Sequence, residues 1–249
     1  MKVLIVHCHP EPQSFNAALT QTAVETLERD GHEVAVSDLY ADGFEPVEGP
    51  ARYSSRCDAR YFQALDEQRW HVEHDDLAAD VRREIVRLEW ADTIILQCPL
   101  WWHGVPAMLK GWFDRVFVYG GLYTGSRRFD RGMLDGRRAL LSLTTGAPET
   151  TFSTFGRSGD MRTLLWPLHC SLYYVGLDVL APHLSYGVQG GGLSYQAETA
   201  FCAHLEAEKA RWATRLGTLA ASLPIPMSGW ANWNDDGTLA ASHPLRWRV

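Results

Sequence analysis

Short apolar runs alternate along the whole chain with segments whose apolar residues recur every three or four positions. That alternation marks βαβ units, in which crossover helices cover both faces of a parallel sheet. KVLIV (2–6) reads as the first strand. Ser14 then offers an N-cap oxygen to a helix carrying Phe15, Ala18, Leu19, Ala23 and Leu27, which Gly31 stops before the strand EVAV (33–36). Residues 43–75, with Pro46, Gly49, Pro50 and mixed charge, break the rhythm and read as a long surface excursion. Order returns with Leu77, Val81, Ile85 and Leu88 on a helix, then the strand TIILQ (93–97). Pro106 suits the first turn of the next helix, whose stripe of Met108, Leu109, Trp112, Phe113, Val116 and Phe117 reads as core. RALLSLT (138–144) is the fourth strand; Met161 to Val175 forms a helix bent at Pro167 and stopped by Gly176; LDVL (177–180) is the fifth strand. A last helix carries Phe201, Leu205, Trp212, Leu216 and Leu219, its stripe interrupted at Glu208 and Lys209.

Five strands and five helices in this order predict an α/β fold: a doubly wound, five-stranded parallel sheet with helices on both faces. Right-handed crossovers wind its halves in opposite directions, and ligands sit outside the carboxyl ends of the strands where the direction switches. Residues 1–221 make up this domain. Residues 222–249 hold Pro224, Pro226, Gly229, an Asp236-Gly237 turn and three tryptophans without helical period. They predict an irregular C-terminal arm that packs on its own domain or on a dimer partner, because tryptophan is costly to leave in water.

Composition narrows the setting. The 249 residues, 46% hydrophobic and 21% charged, suffice for one such domain plus an arm. A net charge of −7 disfavours nucleic acid and anionic membrane as partners. The five cysteines, at 8, 57, 98, 170 and 202, form no CxxC pair and no zinc spacing. They suit a reducing cytoplasm, and no metal site is expected. The apolar run Val3–Val6 is too short for a signal peptide, and no run approaches the ~18 residues of a membrane span. The expectation is a cytoplasmic protein that does not span a membrane.

Three loops at the carboxyl edge carry unusual residues: HCHPEPQSFN, CPLWWHGVP and TTGAPETTFSTFGRSGDM. Neither a P-loop nor GxGxxG follows the first strand, and GxSxG is absent, so nucleotide, dinucleotide and serine-hydrolase signatures are missing. Ser14, Asn16 and His9 could receive a phosphate at the start of the first helix, although Ser14 equally serves as a plain cap. In the second loop Pro99 and Pro106 stiffen the ends, Gly104 permits close backbone approach, and Trp101, Trp102 and His103 lie between. Flat walls with free peptide groups suit a planar heteroaromatic ring, and Thr144, Thr145, Gly146 and Ala147 could serve its far edge. His71 and His74, in DEQRWHVEHDD, read as a solvated face, and His7 as a core residue.

The pieces LIVHCHPEPQSFN, SDLYADGFEP, LEWADTIILQCPLWWHGVPAMLKGWFDRVF, LLSLTTGAP and SGDMRTLLWPL resemble, in order, the flavodoxin-like NAD(P)H:quinone oxidoreductases, a group that includes mammalian quinone reductase and bacterial modulators of drug activity. The resemblance implies a flavodoxin-like homodimer with FAD, in preference to FMN, at the carboxyl edge. His9, Ser14, Phe15 and Asn16 would hold its phosphates and ribityl chain. Pro99, Leu100, Trp101 and Trp102 would lie along the ring, Thr144 to Ala147 at its far edge, and Gln63 would reach it from the neighbouring protomer. NAD(P)H would deliver hydride and a quinone would take it, one after the other at a single site.

Some positions depart from the family. Where mammalian members carry a tyrosine and a histidine that stabilise charge on the reduced ring, this chain has Phe152 and Ser158, which implies either slower flavin reduction or a substitute donor such as Arg157. His103 replaces a wall phenylalanine. Tyr123 matches one rim tyrosine and Gly125 replaces another, which implies a more open pocket. Catalytic roles thus fall to Trp102, His103, Phe152 and Arg157, and the substrate pocket to Tyr123, Gly125 and Phe152. Two alternatives stay open: an FMN-dependent nitro- or azo-reductase, and a flavin-binding regulatory subunit of a membrane transport system.

Overall fold

The computed structural model describes residues 1–189 and 197–243. β1 (Lys2–His7), β2 (Glu33–Asp38), β3 (Thr93–Pro99), β4 (Arg138–Thr144) and β5 (Asp178–Val179) form a parallel sheet in the order β2-β1-β3-β4-β5. The apolar runs are continuous because the sheet is buried on both faces, and successive residues serve opposite cores. Leu4, Val6, Ile94, Leu96, Leu141 and Leu143 enter one core; Val3, Ile5, Ile95 and Leu140 enter the other. α3 (Ala79–Trp90), α4 (Ala107–Val116) and α5 (Met161–Tyr174) contribute to the first core, α1 (Phe15–Arg29) and α6 (Glu198–Gly217) to the second. Among the described residues no helix is long and apolar enough to cross a membrane.

Four details differ from the sequence reading. A sixth strand, β6 (His183–Ser185), follows β5 and pairs with the carboxyl half of β4; at three residues it is too short for a period to show. The segment 43–75 contains a sixth α-helix, α2 (Ala64–Glu73). Its buried face is Glu67, Gln68 and His71, polar residues that a search for apolar stripes passes over. Each is satisfied: Glu67 accepts from the Arg56 guanidinium and from the Cys57 N–H, the His71 ring lies between the carbonyl oxygens of Asp76 and Ser55, and Gln68 bridges Asp114 and Tyr119. The stretch read as a solvated face therefore packs inward at these three positions. Pro106 is the N-cap of α4 and not a residue of its first turn.

The C-terminal residues run along their own domain. Ile225 N–H donates to Val179 O at 2.7 Å, Tyr173 Oη to Ser228 O at 3.1 Å, and Trp230 N–H to Asp130 Oδ1 at 3.0 Å. Residues 244–249, the end of the expected arm with its third tryptophan, lie outside the described residues.

Burial also sets a pH dependence. Desolvation pushes His169 and His183 down to about 4, and lowers His7, which donates to or accepts from Thr20 Oγ1 at 2.8 Å. These imidazoles are neutral in the fold, whereas the unfolded chain takes up their protons near pH 6.5. Stability is therefore full above pH 6.5 and falls as pH drops towards 4, by about 3 kcal/mol for each of His169 and His183. His183→Phe, which keeps a ring against Trp212, is expected to flatten part of that fall in urea titrations run from pH 7 to pH 4. An unchanged slope would remove His183 from the account.

Candidate functional site

The strand register brings three loops to one edge. Pro99 lies opposite Thr144, and Leu100 N–H donates to Thr144 O at 2.8 Å, so the loops after β3 and β4 leave the sheet side by side. Cys8 N–H donates to Gln97 O at 2.9 Å and starts the loop after β1 beside them. Below the loops runs a chain of buried side chains: Gln97 Nε2 donates to Asn16 Oδ1, and Asn16 Nδ2 to Thr144 Oγ1, both at 2.9 Å. Asn16 is 4% exposed, so its side chain ties the edge together while its main chain remains for a ligand. Gln97, a polar residue in a buried apolar strand, is the sequence signal for this tie.

At the start of α1, Ser14 Oγ accepts from Ala17 N–H at 3.1 Å. The N–H groups of Phe15 and Asn16 precede any intrahelical acceptor and make no hydrogen bond among the described residues. His9 Nδ1 accepts from Glu11 N–H at 3.1 Å, which leaves Nε2 as the donor, and its ring meets Trp101 edge to face at 5.8 Å. Two backbone donors and an imidazole donor at a helix N-terminus suit a phosphate.

The loop after β3 is a hairpin closed by Trp101 N–H to Gly104 O at 2.9 Å and Gly104 N–H to Trp101 O at 3.0 Å. Its central residues, Trp102 and His103, hold φ of +52° and +60°. Such a turn favours Asn-Gly, and side chains in this left-handed region cost about 1–2 kcal/mol each. Gly104, read from sequence as the residue allowing close approach, has room for a Cβ; the unusual backbone belongs to its two neighbours. Trp102 is 99% exposed, so packing within the chain does not offset its strain. Strain held on an exposed aromatic residue points to function.

β6 positions the loop after β4. Thr145 N–H donates to Ser185 O and Gly187 N–H to Ala147 O, at 2.9 and 3.0 Å. The N–H groups of Gly146 and Ala147, like those of Trp102 and His103, make no hydrogen bond among the described residues. Four free donors therefore stand on two adjacent loops. Behind Gly146 a cavity of about 430 Å³ opens towards Tyr186, Phe201, His204 and Arg211. Phe152 ends a short turn (Glu149–Phe152) and packs on Tyr186 at 5.8 Å. Arg157 is exposed, and its guanidinium has no partner among the described residues.

The remaining predicted residues stand further out. Tyr123 is half-buried between Tyr119 and Tyr174, at 5.4 and 5.2 Å, while Gly125 is exposed in the loop beyond it. Gln63 is the exposed N-cap of α2, and its side chain makes no hydrogen bond among the described residues.

A family profile described as a flavodoxin-like fold matches residues 1–215. NAD(P)H dehydrogenase [quinone] 1 of Cavia porcellus is 42% identical over 189 residues, 75% of this chain and 69% of the relative. Ribosyldihydronicotinamide dehydrogenase [quinone] of Homo sapiens is 38% identical over 235 residues, 94% of this chain and 97% of the relative. Among solved structures, a Klebsiella pneumoniae protein assigned to the quinone reductases is similar with a TM-score of 0.84 and 31% identity, covering 96% of this chain and 93% of that one.

The hairpin yields a test that needs no ligand. Replacing Trp102 by Asn and His103 by Gly together is expected to raise the stability of the ligand-free protein by about 1–2 kcal/mol in urea titration. An equal or lower stability would show that the two aromatic rings pack more firmly than their exposure indicates.

Proposed function

The chain belongs to the flavodoxin-like NAD(P)H:quinone oxidoreductases, and from that premise we propose that it carries a flavin at the carboxyl edge and passes hydride from a reduced nicotinamide to a quinone. The observation that carries this reading is the set of four N–H groups, on Trp102, His103, Gly146 and Ala147, that make no hydrogen bond among the described residues, beside the strained and exposed Trp102. Those donors suit the acceptor-rich edge of an isoalloxazine, and Trp102 and His103 suit its wall. A bound flavin would supply the two-electron chemistry, hydride in and hydride out.

The residues then divide the remaining work. Phe15 and Asn16 N–H with His9 Nε2 hold phosphate, and the Ser14 hydroxyl holds the first turn of the helix in place. Thr145, fixed by Ser185, keeps Gly146 and Ala147 turned to the ring edge. Phe152 offers no proton and no hydrogen bond, so charge arising on the reduced ring falls to Arg157 of the same loop, whose guanidinium has no partner among the described residues. One open face serves donor and acceptor in turn, which gives ping-pong kinetics. FAD is the proposed flavin, and a cytoplasmic homodimer, with Gln63 reaching the partner's site, the proposed assembly. The donor is open to a second reading, since the ribosyldihydronicotinamide relative is matched over nearly its whole length.

The deciding experiment releases the bound cofactor by heat, identifies it by chromatography, and follows bleaching of the intact protein under anaerobic NADH, NADPH or dihydronicotinamide riboside. FAD that bleaches and recovers with a quinone is expected. FMN would favour a nitro- or azo-reductase, a flavin that stays oxidised would favour a regulatory subunit, and no flavin under any reconstitution would overturn the reading. Arg157→Ala is expected to slow bleaching about tenfold, roughly 1.4 kcal/mol of barrier. An unchanged rate would end its role as the substitute donor.

A further inference from the structure

His71 lies on α2 with no exposed surface, and both of its ring nitrogens meet main-chain carbonyl oxygens. Nδ1 stands 2.8 Å from Asp76 O, and Nε2 stands 2.9 Å from Ser55 O. A carbonyl oxygen can only accept. A neutral imidazole has one N–H and one lone pair, so it would satisfy one of these carbonyls and turn its lone pair on the other. Neither tautomer escapes this, and turning the ring over puts carbon at both places. His74 supplies the contrast: among the described residues only its Nδ1 meets a carbonyl, Trp70 O at 2.7 Å, and a neutral ring protonated there suffices.

The surrounding charge agrees with a cation. Asp76 Oδ2 lies 3.3 Å from His71 Nδ1, and the buried Glu67 carboxylate lies 3.9 Å from Nε2. Among the described residues one guanidinium, Arg56, stands against these two carboxylates, paired with Glu67. A charged His71 closes that balance, whereas a neutral ring leaves one carboxylate in excess beside buried groups. The other side chains packed on the ring are Tyr53 and Trp70, each at 4.8 Å, and the Tyr53 hydroxyl donates to Glu48 at 3.2 Å. Neither adds a competing positive charge.

The two carbonyls belong to the loops on either side of α2. Ser54 Oγ also donates to Asp76 at 2.6 Å, and Arg56 Nη2 to Tyr61 O at 3.0 Å, so both loops converge on this ring. We propose that His71 is a buried imidazolium whose second proton clasps residues 55 and 76 to α2, a latch that opens when rising pH removes that proton. Its loss sets a lone pair against a carbonyl and leaves Glu67 and Asp76 facing Arg56 alone. The sign is opposite to that at His169 and His183, where gaining a proton is the destabilising event.

Nitrogen NMR of the full chain as purified, labelled at histidine, counts the protons on the His71 ring at neutral pH. The signals are assigned with His71→Gln or, should that variant not fold, by ring-proton contacts with Tyr53 and Trp70. Two N–H groups are expected, and a ring with one protonated and one bare nitrogen overturns the proposal. Amide hydrogen exchange, corrected for the intrinsic rate, is then followed as pH is raised. Protection across α2 is expected to fall about tenfold in step with loss of the second ring proton, while α1 keeps its own. The amide of His71→Gln donates to one carbonyl and sets its oxygen against the other, so α2 is expected to be poorly protected at every pH, without a step. Protection that ignores the ring proton, or a step that survives in His71→Gln, overturns the latch. None of these readouts depends on flavin reduction or on a quinone, so failure here leaves the functional reading standing.

Discussion

The tie from Gln97 through Asn16 to Thr144 is the constraint on which the site depends. It joins β3, the first turn of α1 and the end of β4 below the loops, where all three side chains are buried. A buried amide without partners is expensive, so each member holds the others in one arrangement. Because the side-chain period of a strand is two residues, slipping β3 by one position against β4 would turn Gln97 into the opposite core and leave Asn16 unpaired. The sheet's register and the layout of the loops are thus enforced by the same bonds. The α1 donors and the two donor pairs on the later loops inherit their relative positions from it.

Above that tie the chain holds strain. The hairpin of Trp102 and His103 keeps two side chains in a backbone region suited to glycine, and places them in water. Apolar burial does not offset this within the chain. The rest of the domain does, through cores on both faces and through polar interior contacts such as Glu84, which accepts from Ser37, Arg87 and Trp112 and locks β2, α3 and α4 together. A rigid scaffold carrying a strained loop is the arrangement expected where a ligand, rather than the fold, is the hairpin's partner.

The fold was largely legible because continuous apolar strands and amphipathic helices are the features that periodicity detects. What escaped it was polar or short. α2 buries Glu67, Gln68 and His71, which carry no hydrophobic signal, and their partners lie on a loop and on α4 or just beyond it. β6 has three residues and takes its meaning from pairing with β4, a contact that no local pattern encodes. For the site, sequence motifs named the loops, yet the features that make the loops suitable are backbone ones. N–H groups on Gly146 and Ala147 without a hydrogen bond among the described residues, and the sign of φ at Trp102 and His103, belong to no residue type. Gly104 is the residue type that permits an unusual backbone, whereas the hairpin places that backbone on its two bulkier neighbours.

The tryptophans show how one residue type can be sorted by what its indole N–H does. Trp112 donates to Glu84 and Trp212 to the Leu19 carbonyl; each is fully buried, and they stand in the cores on opposite faces of the sheet. Trp230 donates to the Arg128 carbonyl and fastens the arm. A buried indole needs such a partner, since its ring gains from leaving water only if the N–H is not stranded. Trp102 has neither burial nor partner, and it alone of these four occupies a left-handed backbone. A large apolar ring held outward at an energetic cost suits a site whose ligand covers it. Of these four tryptophans, Trp102 therefore has the ring left available to the proposed flavin, exposed and held at a positive φ.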